Sequence, residues 1–136
     1  MSVKDTLNES LYFTSRVLGP EASQRLKDGK VTQTVRSRKS AAPFLTHRSQ
    51  MVKVTLDGVF LFEARITEIK RTKLSELTQW DAEIGGFSTL EDLKAAAKRA
   101  GFRFKADYEL FRIQFLPQRG GGKKNSEGGL EGWIQP

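Results

Sequence analysis

Val52-Lys53-Val54-Thr55-Leu56-Asp57-Gly58-Val59-Phe60-Leu61-Phe62-Glu63-Ala64-Arg65-Ile66 carries the clearest structural signal in the chain. Val52, Val54 and Leu56 alternate with Lys53 and Thr55, the two-residue period of a strand with one buried face. Asp57-Gly58 supplies the pair of left-handed residues that a type I′ turn requires. Phe60, Phe62, Ala64 and Ile66 then continue as a second strand toward Ile69, so an antiparallel hairpin stands at the centre of the expected fold.

Upstream of the hairpin, Leu11-Tyr12-Phe13 reads as a short strand. The segment from Pro20 to Asp28 reads as a short helix, with proline in its first turn and Gly29 closing it. Val31, Gln33 and Val35 alternate with Thr32, Thr34 and Arg36, which puts the last three on one face of a strand. Ser37 to Ser49, with Pro43 and no period, is expected as an exposed loop. Downstream, Leu74, Leu77 and Trp80 have helical spacing, and Asp81 to Glu83 close that helix. Gly85-Gly86 forces a turn. Ser88-Thr89-Leu90-Glu91 has the pattern of a capping box opening a helix that ends at Gly101, and Tyr108 to Phe115 alternates as a last strand. This order predicts an α+β fold, a small mixed β-barrel with short helices packed at its ends. Residues 1–8 are expected as a flexible N-terminus, 9–117 as one domain, and 118–136 as a Gly- and Lys-rich flexible tail that carries Leu130, Trp133 and Ile134.

The chain has 136 residues, enough for one core of ordinary size. The absence of cysteine excludes disulfides and thiol chemistry, and the single histidine, His47, excludes a multi-histidine zinc site, so neither metal nor cofactor is expected. No apolar run is long enough to span a membrane and no leader pattern opens the chain, which predicts a cytoplasmic protein without a membrane partner. Net charge is +7. Between Arg25 and Lys53, eight basic residues face one acidic residue, Asp28, so this stretch carries the whole excess and points to RNA or another nucleic acid as partner. Gly120-Gly121-Gly122-Lys123-Lys124 lacks the strand before and the helix after that a phosphate-binding loop needs.

Three pieces of the chain resemble the ASCH domains of the PUA-like superfamily. Gly29 to Arg36 is similar to the family's G-x-K-x-x-x-x-R motif. The Asp57-Gly58 hairpin is the second piece, and Trp80 to Leu93 is similar to the D-A-x-x-E-G-F-x-S-x-x-E block before the last helix. The resemblance covers roughly Leu11 to Leu116 and implies a β-barrel with a cleft between barrel and helices that binds RNA. Some members of that family deacylate N4-acetylcytidine with a lysine, a threonine and a glutamate in the cleft. By resemblance Thr34 matches the threonine and Arg36 the trailing arginine, whereas the lysine falls on Val31 and the glutamate on Gly85. Lys30 and Glu83 are the nearest substitutes, each out of register.

The expected activity is therefore nucleic-acid binding, most simply of RNA and without catalysis. Lys30, Arg36, Arg38, Lys39, Arg48 and Lys53 would meet phosphates, Thr32 and Thr34 would hydrogen-bond a base or sugar, and Trp80 or Phe44 would stack on an unpaired base. At helical spacing with Leu77, Trp80 fits a core position better than a stacking one. Two alternatives stay open in the sequence. One is an amidohydrolase on a modified nucleoside, or a ribonuclease, with Thr34, Lys30, Glu83 and Asp81 as its only participants. The other is a regulatory domain whose basic strip meets an acidic protein.

Overall fold

The structure, a computed structural model, describes residues 9–45, 50–102 and 105–120. Five strands form one mixed sheet: β1 (Ser10–Phe13), β2 (Gln33–Arg36), β3 (Met51–Leu56), β4 (Val59–Lys73) and β5 (Glu109–Gly120). Their order across the sheet is β1-β3-β4-β5-β2, with β1 parallel to β3 and every other pair antiparallel. Register shifts at Val54/Thr55, Phe62/Ala64 and Ile66/Glu68 bend the long strands. Such bulges raise the local twist, and the sheet curls into a half-barrel. The inward faces of β1, β3, β4 and β5 bury Leu11, Val54, Ile66, Ile113 and Phe115 to 1% exposure or less. A second apolar cluster, including Leu77, Phe87, Leu93 and Leu110, lies beneath the helices.

The hairpin forms as its sequence requires. Asp57 and Gly58 both take positive φ, 53° and 83°, and the Asp57 carboxylate accepts from the backbone amide and hydroxyl of Ser15 at 3.0 and 2.7 Å. Helix α1 spans Ser15–Lys27, so it starts before the expected Pro20. Thr14 caps it, the chain kinks at Gly19 (φ 84°), and Pro20 opens the second segment, where its missing amide costs nothing. The expected loop after Ser37 instead contains a helical turn, α2 (Arg38–Ala41), and a 3-10 turn (Ala42–Phe44) that buries Phe44. Ser37 caps α2 by accepting from the Ser40 amide, and buried Ala41 and Phe44 give this segment an apolar side that the sequence reading passed over. Phe44 is therefore core rather than a stacking surface.

After β4 the chain makes a 3-10 turn (Leu74–Glu76), then α3 (Gln79–Ile84) and α4 (Leu90–Arg99). The expected capping box at Ser88 is displaced by one residue. Thr89 caps α4 by accepting from the Asp92 amide, because Thr89/Asp92 repeats the Ser88/Glu91 spacing while the Ser88 hydroxyl is engaged by Arg25 and Glu21. A reciprocal capping box does exist at the start of α3. The Thr78 hydroxyl accepts from the Asp81 amide, and Asp81 accepts from the Thr78 amide at 2.8 Å. Strand β5 continues through Pro117 to Gly120, past the expected end of the last strand. The tail from residue 121 and the N-terminal residues 1–8 lie outside the described residues.

Asp81 ties α3 to the sheet. It is 3% exposed and accepts from Arg112 of β5 at 2.8 and 3.0 Å and from the Gln33 side chain of β2 at 2.9 Å. Burial works against its charge, but the hydrogen bonds from Arg112, Gln33 and Thr78 outweigh that effect and hold the carboxyl below the ordinary value. A lowered carboxyl pKa contributes stability above the unfolded-state value of about 3.9 and loses it as pH falls through the folded value. Wild type is thus expected to lose stability in urea melts below about pH 4. Asp81→Asn is expected to be weaker at neutral pH with a flatter acid limb; parallel pH profiles would remove Asp81 as the cause.

The turn after α3 is equally constrained. Gly86 has φ 95°, and a Cβ there would stand 2.8 Å from the Val31 side chain. Gly86→Ala is expected to cost roughly 2 to 4 kcal/mol in denaturant melts from left-handed backbone and overpacking together. A loss of a few tenths would show that Val31 moves aside freely.

Candidate functional site

Strand β2 alternates as its sequence predicts. Gln33 turns into the Asp81 network, while Thr34 and Arg36 stand together: Arg36 Nε donates to Thr34 Oγ1 at 2.9 Å. Both line a cleft of about 210 Å³ between the half-barrel and the helices. Its walls come from Phe13 of β1, Leu18 of α1, Phe87 of the turn after α3, Leu93 of α4, and Phe102. Among the described residues the lining is mainly apolar, with Arg36 its one cation, where the charge distribution suggests a broadly basic surface.

Arg36 also closes the half-barrel. Its Nη2 donates to the Tyr12 carbonyl of β1 at 2.7 Å, and its guanidinium lies 4.8 Å from the centre of the Phe13 ring. One side chain thereby joins the two edge strands, β2 and β1. Among the described residues no carboxylate pairs with it, and Nη1 makes no hydrogen bond. Burial lowers its pKa to about 10, so the group remains cationic at neutral pH. Arg112 stands in contrast, since its partner Asp81 raises its pKa through the direct hydrogen bond and outweighs burial. An enclosed guanidinium without a counter-charge has donors to offer a ligand; a paired one has spent them.

The other residues singled out from sequence scatter. Arg38 and Lys39 line a polar depression that shares Ser37 with the cleft. Arg38 is held there by a two-pronged bond to Glu109 at 2.8 and 3.0 Å and lies over Phe111. Lys30 and Lys53 are exposed and Thr32 is half-buried, and none of the three lines the cleft. Arg48 and His47 lie outside the described residues.

The three-residue hydrolase set is not assembled. Val31, at the lysine position, is 2% exposed and packs under Gly86. Gly85, at the glutamate position, lines the cleft, but a Cβ there would stand 3.0 Å from the Asp81 carbonyl. Glu83 is exposed and accepts from Gln79, and Asp81 is consumed by its structural bonds. Neither Lys30 nor Glu83 joins Thr34. The site residues that sequence reasoning missed are the apolar ones, Leu18, Leu93 and Phe102, which in sequence look like any other core positions. Trp80 is the converse: 64% exposed, although its spacing with Leu77 also suited the core.

No family model matches the chain, and no curated protein matches it. Solved structures do. An ASCH domain from Lactobacillus crispatus superposes with a TM-score of 0.61 at 15% identity, covering 81% of this chain and 79% of that one. A protein from Enterococcus faecalis described as DUF984 gives 0.58 at 18% identity over 81% and 76%. The ASCH protein of Zymomonas mobilis gives 0.56 at 14% over 85% and 73%. The curled five-stranded sheet with its four short helices is thus a known arrangement: this chain has the fold of the ASCH domains.

Proposed function

We propose that this protein is a noncatalytic nucleic-acid-binding module that takes an unpaired nucleotide of RNA into the Thr34/Arg36 cleft. The observation that carries this reading is the Arg36 guanidinium, cationic and without a carboxylate, at an apolar cavity of about 210 Å³. A nucleobase offers what such a site lacks: an apolar planar body with carbonyl acceptors for the Nη1 donors. Lys39, in the depression that adjoins the cleft through Ser37, would follow the phosphates, and the excess of +7 would draw the polyanion in. The separation of Lys30 and Glu83 from Thr34 speaks against the deacylase alternative.

Fluorescence anisotropy with labelled single-stranded RNA, duplex RNA and duplex DNA, read at several salt concentrations, tests this reading. Wild type is expected to prefer the single strand and to weaken steeply with salt as counterions are released. Arg36→Ala should lose roughly tenfold or more, in line with the 1.5–3 kcal/mol typical of a charged hydrogen bond. Binding indifferent to Arg36 would sink the cleft model, and turnover of acylated cytidine would restore the hydrolase. Function and stability should also separate at this residue. In urea melts Arg36→Met is expected to lower the unfolding free energy by about 1 kcal/mol or less, because removing an uncompensated charge offsets the lost bonds to Thr34 and Tyr12. Arg112→Met, which strands Asp81, should cost about 3 kcal/mol or more.

A further inference from the structure

A second cavity, about 200 Å³ in volume, opens beside the first and shares Gln33 with it. Trp80, Lys70, Gln114, Thr78 and Arg112 line it. Trp80 is the most unusual member. It is 64% exposed, and no aromatic or cationic partner covers its ring among the described residues. A single exposed apolar side chain means little by itself. Here the backbone that carries it is fixed. It sits in the first turn of α3, whose start is fixed by the Thr78/Asp81 capping box, and whose neighbouring residue Gln79 donates to Ser88 and accepts from Leu90.

Four charged groups also line the cavity: Asp81 and Arg112 are spent on each other, and Glu68 lies beside Lys70. Gln114 gives its amide nitrogen to Gln33 at 3.1 Å and keeps Oε1 without a partner among the described residues. Lys70 lies 3.6 Å from Glu68 in a loose exposed pair that leaves its ammonium accessible. An exposed indole face, an open carboxamide oxygen and a loosely paired lysine together suit a heteroaromatic ring attached to a phosphate.

We infer that Trp80 is the stacking platform of a second nucleotide subsite, taking a base of single-stranded RNA while Lys70 meets its phosphate and Gln114 its edge. The inference rests on the reading of the chain as a nucleic-acid binder. It adds that at least two nucleotides are engaged, one in each cavity, which makes the ligand a single strand rather than a free nucleoside. Duplex RNA, whose bases are stacked within the helix, cannot offer a face to Trp80.

The chain has two tryptophans, so Trp133→Phe leaves Trp80 as the only indole reporter. In that background, octa-adenylate and octa-uridylate are titrated while emission and anisotropy are followed together, with duplex RNA in a parallel series. Saturable quenching of Trp80 by the single strands is expected, with little by the duplex. Trp80→Ala should weaken single-strand affinity by roughly 5- to 100-fold, the range for loss of one stacked base, and Trp80→Phe by under about threefold. RNA binding that depends on Arg36 while Trp80 emission and the Trp80→Ala affinity stay unchanged would overturn this subsite and leave the first cleft standing. Absence of RNA binding in every form would overturn both.

Discussion

The position of the whole helical layer depends on one buried carboxylate. Asp81 caps its own helix and accepts from a side chain on each of two strands, Arg112 of β5 and Gln33 of β2. Those strands are neighbours in the sheet, so the helix that follows β4 can dock in only one place. Removing one partner of such a pair leaves a charge stranded in a poor solvent, which is why the arrangement specifies geometry even where it adds little net stability. From α3 the chain passes directly through Gly85-Gly86 to Phe87, which lines the cleft, and Trp80 projects from the same short helix. Both candidate cavities inherit their shape from this anchor.

Strand β2 divides the chemistry by its two-residue period. Gln33 serves the anchor, and Thr34 and Arg36 serve the cleft. Adjacent strands therefore carry two half-buried arginines of opposite character. Arg112 is neutralised and structural; Arg36 is solvent-poor, unneutralised and poised to donate. An arrangement that only had to be stable would favour the first kind throughout.

Much of the sheet is legible in the sequence because each strand states its own register. Asp57-Gly58 fixes the hairpin, and the alternation at Val52–Leu56 and Phe111–Phe115 names the inward side chains, as the structure finds. The helices are less legible where two capping signals compete. Ser88/Glu91 and Thr89/Asp92 differ by one residue, and long-range bonds from Arg25 and Glu21 to Ser88 decide between them. Thr78-Gln79-Trp80-Asp81 is a cap by the same rule, and recognising it would have moved α3 one turn later and turned Trp80 outward. Of the basic residues, sequence could give charge but not convergence. Among the described residues Arg36 is the basic side chain that enters the cleft, from a strand that lines it. The separation of Lys30 and Glu83 from Thr34 follows the register shifts already visible at Val31 and Gly85.

The seam that Arg36 makes between the sheet edges also says something about the order of assembly. Strands β3 and β4 need only a two-residue turn to meet, whereas β1 must find β3 across all of α1, β2 and α2, and β2 must find β5 across most of the chain. Closing long loops is slow because their entropy is spent before any contact rewards it. The contact from Arg36 to Tyr12 requires both edges to be in place, so it is expected in the last step, with a φ-value near zero at Arg36. The cleft is then expected to be the last part of the molecule to form, after every contact that the sheet can make without it.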